Sequence, residues 1–341
     1  MRKSTISDVA RKAGLSTATV DRALNDRGGV SAANRQRVLL AAKELGYLPT
    51  EGMLPLPSRP AHLEFFIPFG QNPFMNDVAR NITTFASSLP LVASCNVTAL
   101  DGIDPNALVT ALEDIPPRTN GVGMITVDHP KTRHAIRRLC ESDVRVVTIA
   151  TDVLATPRSA YIGVDNLVAG RTAALIMGLM SREANGSIGL FLGSRTLHGH
   201  QQREYGFRTL LDEQFKGLTI LPAVETRDDN RISQPAMERM LLDTDDLVGV
   251  YCVGAGRAGI AAALQVAGGA RRPFVIMHDL TDATRAWLAE DLIDVVIDQN
   301  ARLIGEQAVI RLLGSIAAST PTLSLKNIEP RVIFRENIPL V

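Results

Sequence analysis

Apolar residues fall at helical spacing in three short blocks at the start of the chain, and in short continuous runs from His62 onward. The two parts therefore predict different architectures. In the first block Ile6, Val9, Ala10 and Ala13 share a helix face, Thr5 and Ser7 are start signals, and Gly14 supplies the left-handed stop. Ser16 caps a second helix from Thr17 to about Leu24. Val20 and Leu24 are four apart, so they turn toward the first helix and leave Thr17, Ala18, Asp21 and Arg22 outside. Ser31 opens a third helix with Val38, Ala42 and Leu45 inward and Arg35 and Arg37 outside, ended by Gly46. This is helix-turn-helix spacing, and it turns one face of the second helix outward, free to enter a DNA major groove.

From His62 the pattern alternates. HLEFFIP, LVASCNVTAL, GVGMITV and VRVVTIA read as strands, with helices near 74–88, 105–114 and 130–142 between them. A second series follows, with SIGLFLG, LTILPAV, LVGVYCV, PFVIMHD and IDVVIDQ as strands and helices near 165–183, 200–214, 231–242, 257–268 and 281–290. Such alternation gives doubly wound parallel sheets, and two series give two lobes.

Charge separates the two parts further. Residues 1–49 carry nine Lys/Arg against four Asp/Glu, a formal +5; the whole chain is neutral, so the remainder carries −5. A basic head on an acidic body confines phosphate attraction to one end. The 341 residues, 45% of them hydrophobic, suit a small head and two larger lobes. With no signal-peptide core and no apolar run long enough to span a bilayer, the expectation is a cytoplasmic protein without a membrane partner. Cys95, Cys140 and Cys252 are odd in number and lack metal-ligand spacing, which predicts three separate buried thiols and no metal.

The head resembles that of the lac/galactose repressor (LacI/GalR) family of bacterial transcription regulators. The resemblance rests on SDVA in helix 1, the AGLS turn, the TV and R of TVDRAL, Asn25, Val30–Ser31 and the closing LGYLP. It implies double-stranded operator DNA as partner, with Thr5, Ser16, Thr17, Ala18, Arg22, Asn25 and Ser31 at the interface and bases read by Thr17, Ala18 and Arg22. It also implies a homodimer and a near-palindromic operator. Asp21 departs from the small hydroxyl residue usual in the family, and its charge is repulsive near phosphate. The hinge departs more. Residues 50–61 form a proline-rich linker with Thr50 in place of the usual Asn; Pro49, Pro55, Pro57 and Pro60 rule out a regular helix across it, and Met53, Leu54 and Leu56 are the candidate minor-groove wedges.

The body, 62–341, resembles type I periplasmic sugar-binding proteins. That resemblance implies one lobe of about 62–160 plus 299–320 and another of about 161–298 plus 325–341. Three crossings then fall near Ser159–Asp165, Val296–Asn300 and Ala317–Glu329, and helix 300–314 packs on the first lobe. Ligands of such folds bind at the carboxyl ends of the strands, between the lobes. Asn72 and Phe74 follow the first strand and resemble an Asn-Pro-Phe in which the aromatic ring stacks on a sugar; Asp128 follows the third strand. His200 and Arg203 begin a second-lobe helix, with Arg203 at the place of the family's sugar-contacting Arg. The resemblance also makes Asp279 the strand-end acceptor of hydroxyls and Gln299 a hinge donor and acceptor. A small hydroxylated effector, a sugar or polyol, follows.

One motif points elsewhere. Gly254-Ala-Gly256-Arg-Ala-Gly259 follows a strand and opens a helix, with Asp279 twenty residues on, which is the dinucleotide fingerprint and the basis of a rival reading as an NAD(H)-sensing repressor. Its position in the third strand-helix step favours the sugar reading, in which no cofactor is held. No catalytic constellation appears, and Asp228–Asp229 and Asp245–Asp246 read as solvated loop acids, so the expectation is a non-enzyme.

Overall fold

In the computed structural model the described residues are 5–24, 29–45, 47, 57, 60–70, 72–181, 185–268, 272–317 and 328–339. The three head helices are α1 (Ile6–Ala13), α2 (Thr17–Leu24) and α3 (Ala32–Glu44). Local chemistry starts and stops them. The Asp8 amide donates to Thr5 Oγ1 at 3.3 Å while the Thr5 amide donates to the Asp8 carboxylate at 3.0 Å, a reciprocal cap. Gly14 takes φ +63°, and Ser16 Oγ accepts from the Thr19 amide at 3.2 Å. Val9, Val20 and Val38 meet at the centre with no exposure. Ala23 joins them and Leu24 is only half-buried, so the second helix is rolled slightly from the expected face.

Lobe 1 is a five-stranded parallel sheet in the order β2-β1-β3-β4-β5, formed by β1 (Ala61–Phe69), β2 (Val92–Asp101), β3 (Gly121–Met124), β4 (Arg145–Ile149) and β5 (Ala160–Ile162). Its helices are α4 (Pro73–Ser88), α5 (Pro105–Glu113) and α6 (Pro130–Glu141). Lobe 2 begins at α7 (Asn166–Met180) and has the main order β12-β11-β10-β9-β6-β7. It contains β6 (Gly186–Leu192), α8 (His198–Gln214), β7 (Leu218–Ile220), β8 (Val224–Glu225), α9 (Asn230–Asp243), β9 (Leu247–Cys252), α10 (Arg257–Ala267), β10 (Phe274–His278), α11 (Asp282–Ala289) and β11 (Val295–Asp298). The chain then returns to lobe 1 as α12 (Ala301–Ala317), which packs on α4 and the sheet, and ends with β12 (Arg331–Ile333) antiparallel to β11.

The two doubly wound lobes match the expectation, with three refinements. The run LTILPAV is divided into β7 and β8, Pro222 lying between them where it has no amide to give a ladder. The Ala160–Ile162 segment is a fifth strand of lobe 1, so the first crossing begins at Gly163. Most of the third crossing, like Asn25 and nearly all of the linker, lies outside the described residues; past that gap Ile328 pairs with Val164 of the first crossing. All three cysteines are free thiols, Cys252 buried and the other two half-buried. Among the described residues no helix is long and apolar enough to cross a membrane, and no His/Cys/Asp/Glu group has metal-site geometry.

Candidate functional site

Two sites emerge, one on the head and one between the lobes. On α2, Thr17, Ala18 and Arg22 are all exposed, and Arg22 Nε donates to the Ala18 carbonyl at 3.2 Å, which holds its guanidinium along the outer face of the helix. Thr5, Ser16 and Ser31 are exposed as well, although each hydroxyl is engaged as a cap. Arg35 departs from its outward expectation: it is half-buried and donates to the Ala23 carbonyl at 3.3 Å, so it braces α3 against α2, whereas Arg37 is exposed.

The inter-lobe site is assembled by close backbone approach. A Cβ at Gly170 would lie 2.1 Å from the Arg203 carbonyl oxygen, and one at Gly206 would lie 2.4 Å from that of Leu167, so these glycines let α7 and α8 touch and fix where Arg203 stands. Arg203 is 3% exposed and donates to Asn166 Oδ1 at 2.7 Å and to the Val253 carbonyl at 2.9 Å, both neutral acceptors. Buried cations ordinarily meet a carboxylate, yet among the described residues Arg203 forms no ion pair.

Asp279 directly follows β10 at φ +68°, a left-handed conformation that Asp tolerates better than most residues. Its carboxylate accepts from Gln299 Nε2 at 2.7 Å and from Arg257 at 2.7 Å. Gln299 Oε1 is buried with no partner among the described residues, so one acceptor in the cleft is left for a hydroxyl. His200 is half-buried; burial first, then the nearby Arg203 charge, push its pKa down to about 3, so the ring is neutral, and its Nδ1 accepts from the Ser194 amide at 3.2 Å. Asn72, Phe74, His200, Arg203, Asp279 and Gln299, drawn from both lobes, line one cavity of about 30 Å³.

Asp128 is not among them. It is chelated by Arg133 at 2.5 and 2.7 Å and opens on a separate cavity beside Asp104 and Arg195. Asp228, expected as a solvated loop acid, is half-buried instead: it accepts from the Ala255 amide at 3.2 Å, and burial raises its carboxyl pKa. It lines a second chamber of about 510 Å³ that adjoins the first through Asn72, Met75 and Leu197. Sequence reasoning also passed over Asn166, Thr151 and Arg257, whose partners lie far away along the chain.

The glycines of Gly254–Gly259 are taken up by packing. A Cβ on Gly254 would meet His200 Cε1 at 2.5 Å; Gly256, at φ +91°, has Thr226 Oγ1 at 3.0 Å; one on Gly259 would meet Ser233 Oγ at 2.3 Å. They let α9 and α8 approach α10. A pyrophosphate would need that same space, and Asp279, the fingerprint's acid, is already paired with Arg257.

Comparison with known proteins finds the same two-part organisation. Residues 63–314 match the model described as "Periplasmic binding protein domain", and residues 5–50 match "Bacterial regulatory proteins, lacI family". The chain is 25% identical over 213 residues to the HTH-type transcriptional regulator DegA of Bacillus subtilis, covering 62% of this chain and 61% of DegA. It is 44% identical over 78 residues to the ribose operon repressor of Bacillus subtilis, 23% of this chain and 24% of that protein. Similarity to the Escherichia coli repressor CytR is 38% over 96 residues, 27% and 28% of the two chains. The matched segments thus span less than two thirds of these relatives. Among solved structures, the glucose-galactose binding protein GanP of Geobacillus stearothermophilus superposes with TM-score 0.73 at 20% identity, over 82% of this chain and 99% of its own. A putative LacI transcriptional regulator from Bacteroides fragilis does so with TM-score 0.72 at 18% identity, over 82% and 98%. At such identities these superpositions establish the fold.

Proposed function

The chain belongs to the periplasmic binding protein domain family and carries a lacI-family head, and from that premise we propose that it is a DNA-binding transcription regulator whose operator affinity is set by a small hydroxylated effector between its lobes. The observation that carries this reading is the union, in one chain, of an exposed Thr17–Ala18–Arg22 face on a well-packed three-helix head and a buried cleft where Arg203, Asp279 and Gln299 converge. The first suits base edges in a major groove. The second offers a guanidinium fork, a carboxylate and an unpartnered amide oxygen, the mixture of donors and acceptors that a sugar or polyol satisfies.

In the same reading the protein acts as a homodimeric repressor of a catabolic operon, its two heads meeting half-sites about one helical turn apart. Named relatives point the same way, being a ribose operon repressor and other regulators. The packing of Gly254, Gly256 and Gly259 weighs against a dinucleotide effector.

The test is a selection of random duplex DNA by the full-length protein, followed by melting with pentoses, hexoses, polyols, sugar phosphates and NADH. The expected result is an enriched near-palindrome and stabilisation by a hydroxylated compound. Failure to enrich any sequence overturns the regulator reading; stabilisation by NADH alone overturns the sugar class.

A further inference from the structure

Arg257 is the first residue of α10, immediately after the left-handed Gly256, and is 4% exposed. Its guanidinium reaches across the cleft. One nitrogen donates to Asp279 Oδ2 at 2.7 Å and to the His278 carbonyl at 2.9 Å; the other donates to Asn72 Oδ1 at 3.0 Å, in the opposite lobe. Asn72 is also the cap of α4, accepting from the Phe74 amide at 3.2 Å. The side chain therefore ties the start of α4 in lobe 1 to the end of β10 in lobe 2, using the very acceptors a hydroxylated ligand would need. The cavity walled by its partners Asn72 and Asp279 is about 30 Å³, room for a water or so, and adjoins the chamber of about 510 Å³ through Asn72, Met75 and Leu197, so a ligand in that chamber reaches Asp279 and Gln299 only if the Arg257 tie opens.

We propose that Arg257 is a built-in occupant of the cleft: it clamps the lobes shut through Asp279 and Asn72, and an effector enters by displacing it. This rests on the reading of the cleft as the effector site. The wall that the guanidinium faces consists of acceptors, namely Asp279, Asn72 Oδ1 and the His278 carbonyl, with Gln299 Oε1 beside them. The displacing group is therefore a hydrogen-bond donor, such as adjacent hydroxyls, and not an oxyanion. Displacement also sets affinity, because part of each ligand's binding energy replaces the bonds that Arg257 gives up.

The clamp can be tested without DNA or sugar. Hydrogen exchange is followed in the full-length protein at residues 198–203, where the Gly199 amide donates across the cleft to Thr151 Oγ1 at 3.1 Å. Arg257→Ala should speed exchange there at least ~10-fold. Millimolar guanidinium chloride should restore protection in that variant, whereas sodium chloride at equal ionic strength should not. Asn72→Ser, which keeps a capping hydroxyl for α4 but is too short to hold the guanidinium, should speed exchange without being rescued; it decides the matter alone if Arg257→Ala fails to fold. Unchanged exchange in the folded variants, or equal rescue by both salts, overturns the clamp. Either result leaves the regulator reading to its own test, since no arm depends on operator or effector.

Discussion

The head and the cleft each keep an arginine where a ligand would bind, but hold it in opposite ways. Arg22 is exposed and steadied by a carbonyl four residues back. Arg257 is buried and steadied by partners 22 and 185 residues away. A residue of the first kind waits for its partner in solvent and contributes little to the fold. One of the second kind is part of the fold, so its chemistry cannot be changed without changing stability. The difference teaches where recognition can vary freely, on the head, and where it is tied to lobe packing, in the cleft.

The largest expected effect tests that distinction on the cleft side. Asp279→Ala leaves the Arg257 guanidinium buried without its carboxylate, which should cost about 3–5 kcal/mol in denaturant unfolding. The double variant Asp279→Ala/Arg257→Met should recover much of this, since it removes both charges. An additive double-variant loss would mean that the two residues act independently.

On the head, Arg22→Ala should leave stability within about 0.5 kcal/mol while weakening the selected operator by ~1–3 kcal/mol and relaxing one base position in competition binding. Arg37→Ala should weaken all DNA sequences alike. Equal loss on operator and random DNA for both would remove Arg22 from base reading.

A smaller effect comes from pH. Because His200 has a pKa lowered to about 3 in the fold and near 6.5 when unfolded, the unfolded chain binds the extra proton between those values. Its contribution to stability is complete above about 6.5 and is lost progressively as pH falls toward 3. His200→Gln should flatten the fall in melting temperature over that window; an unchanged slope would assign the acid sensitivity elsewhere. Smallest is Thr5→Ala, which removes one half of a reciprocal cap on α1 and should cost about 0.5–2 kcal/mol of head stability, read by circular dichroism.

The same contrast explains what was legible in the sequence. Thr5, Gly14, Ser16 and Ser31 act on neighbours within a turn, so caps, stops and helix faces could be read directly. The alternating strands and helices gave both lobes for the same reason. Arg257 could not be read, because its role depends on strand ends and lobe closure that bring Asn72 to it; in the sequence it is only a letter inside a glycine motif. Asp128 looked like a strand-end ligand until Arg133, five residues on, proved to hold it. Arg35 followed the polar stripe of α3, yet the Ala23 carbonyl draws it inward. Asp228 sits in a polar-looking loop that the fold tucks against Ala255.

The division of labour is tested most directly by one crossed measurement on the full-length protein: operator preference over random DNA, and the melting shift given by the stabilising sugar or polyol, each recorded for Arg22→Ala and Asp279→Ala. The account predicts that Arg22→Ala loses the preference and keeps the shift, while Asp279→Ala loses the shift and keeps the preference. Both variants losing both properties while still folded would contradict it.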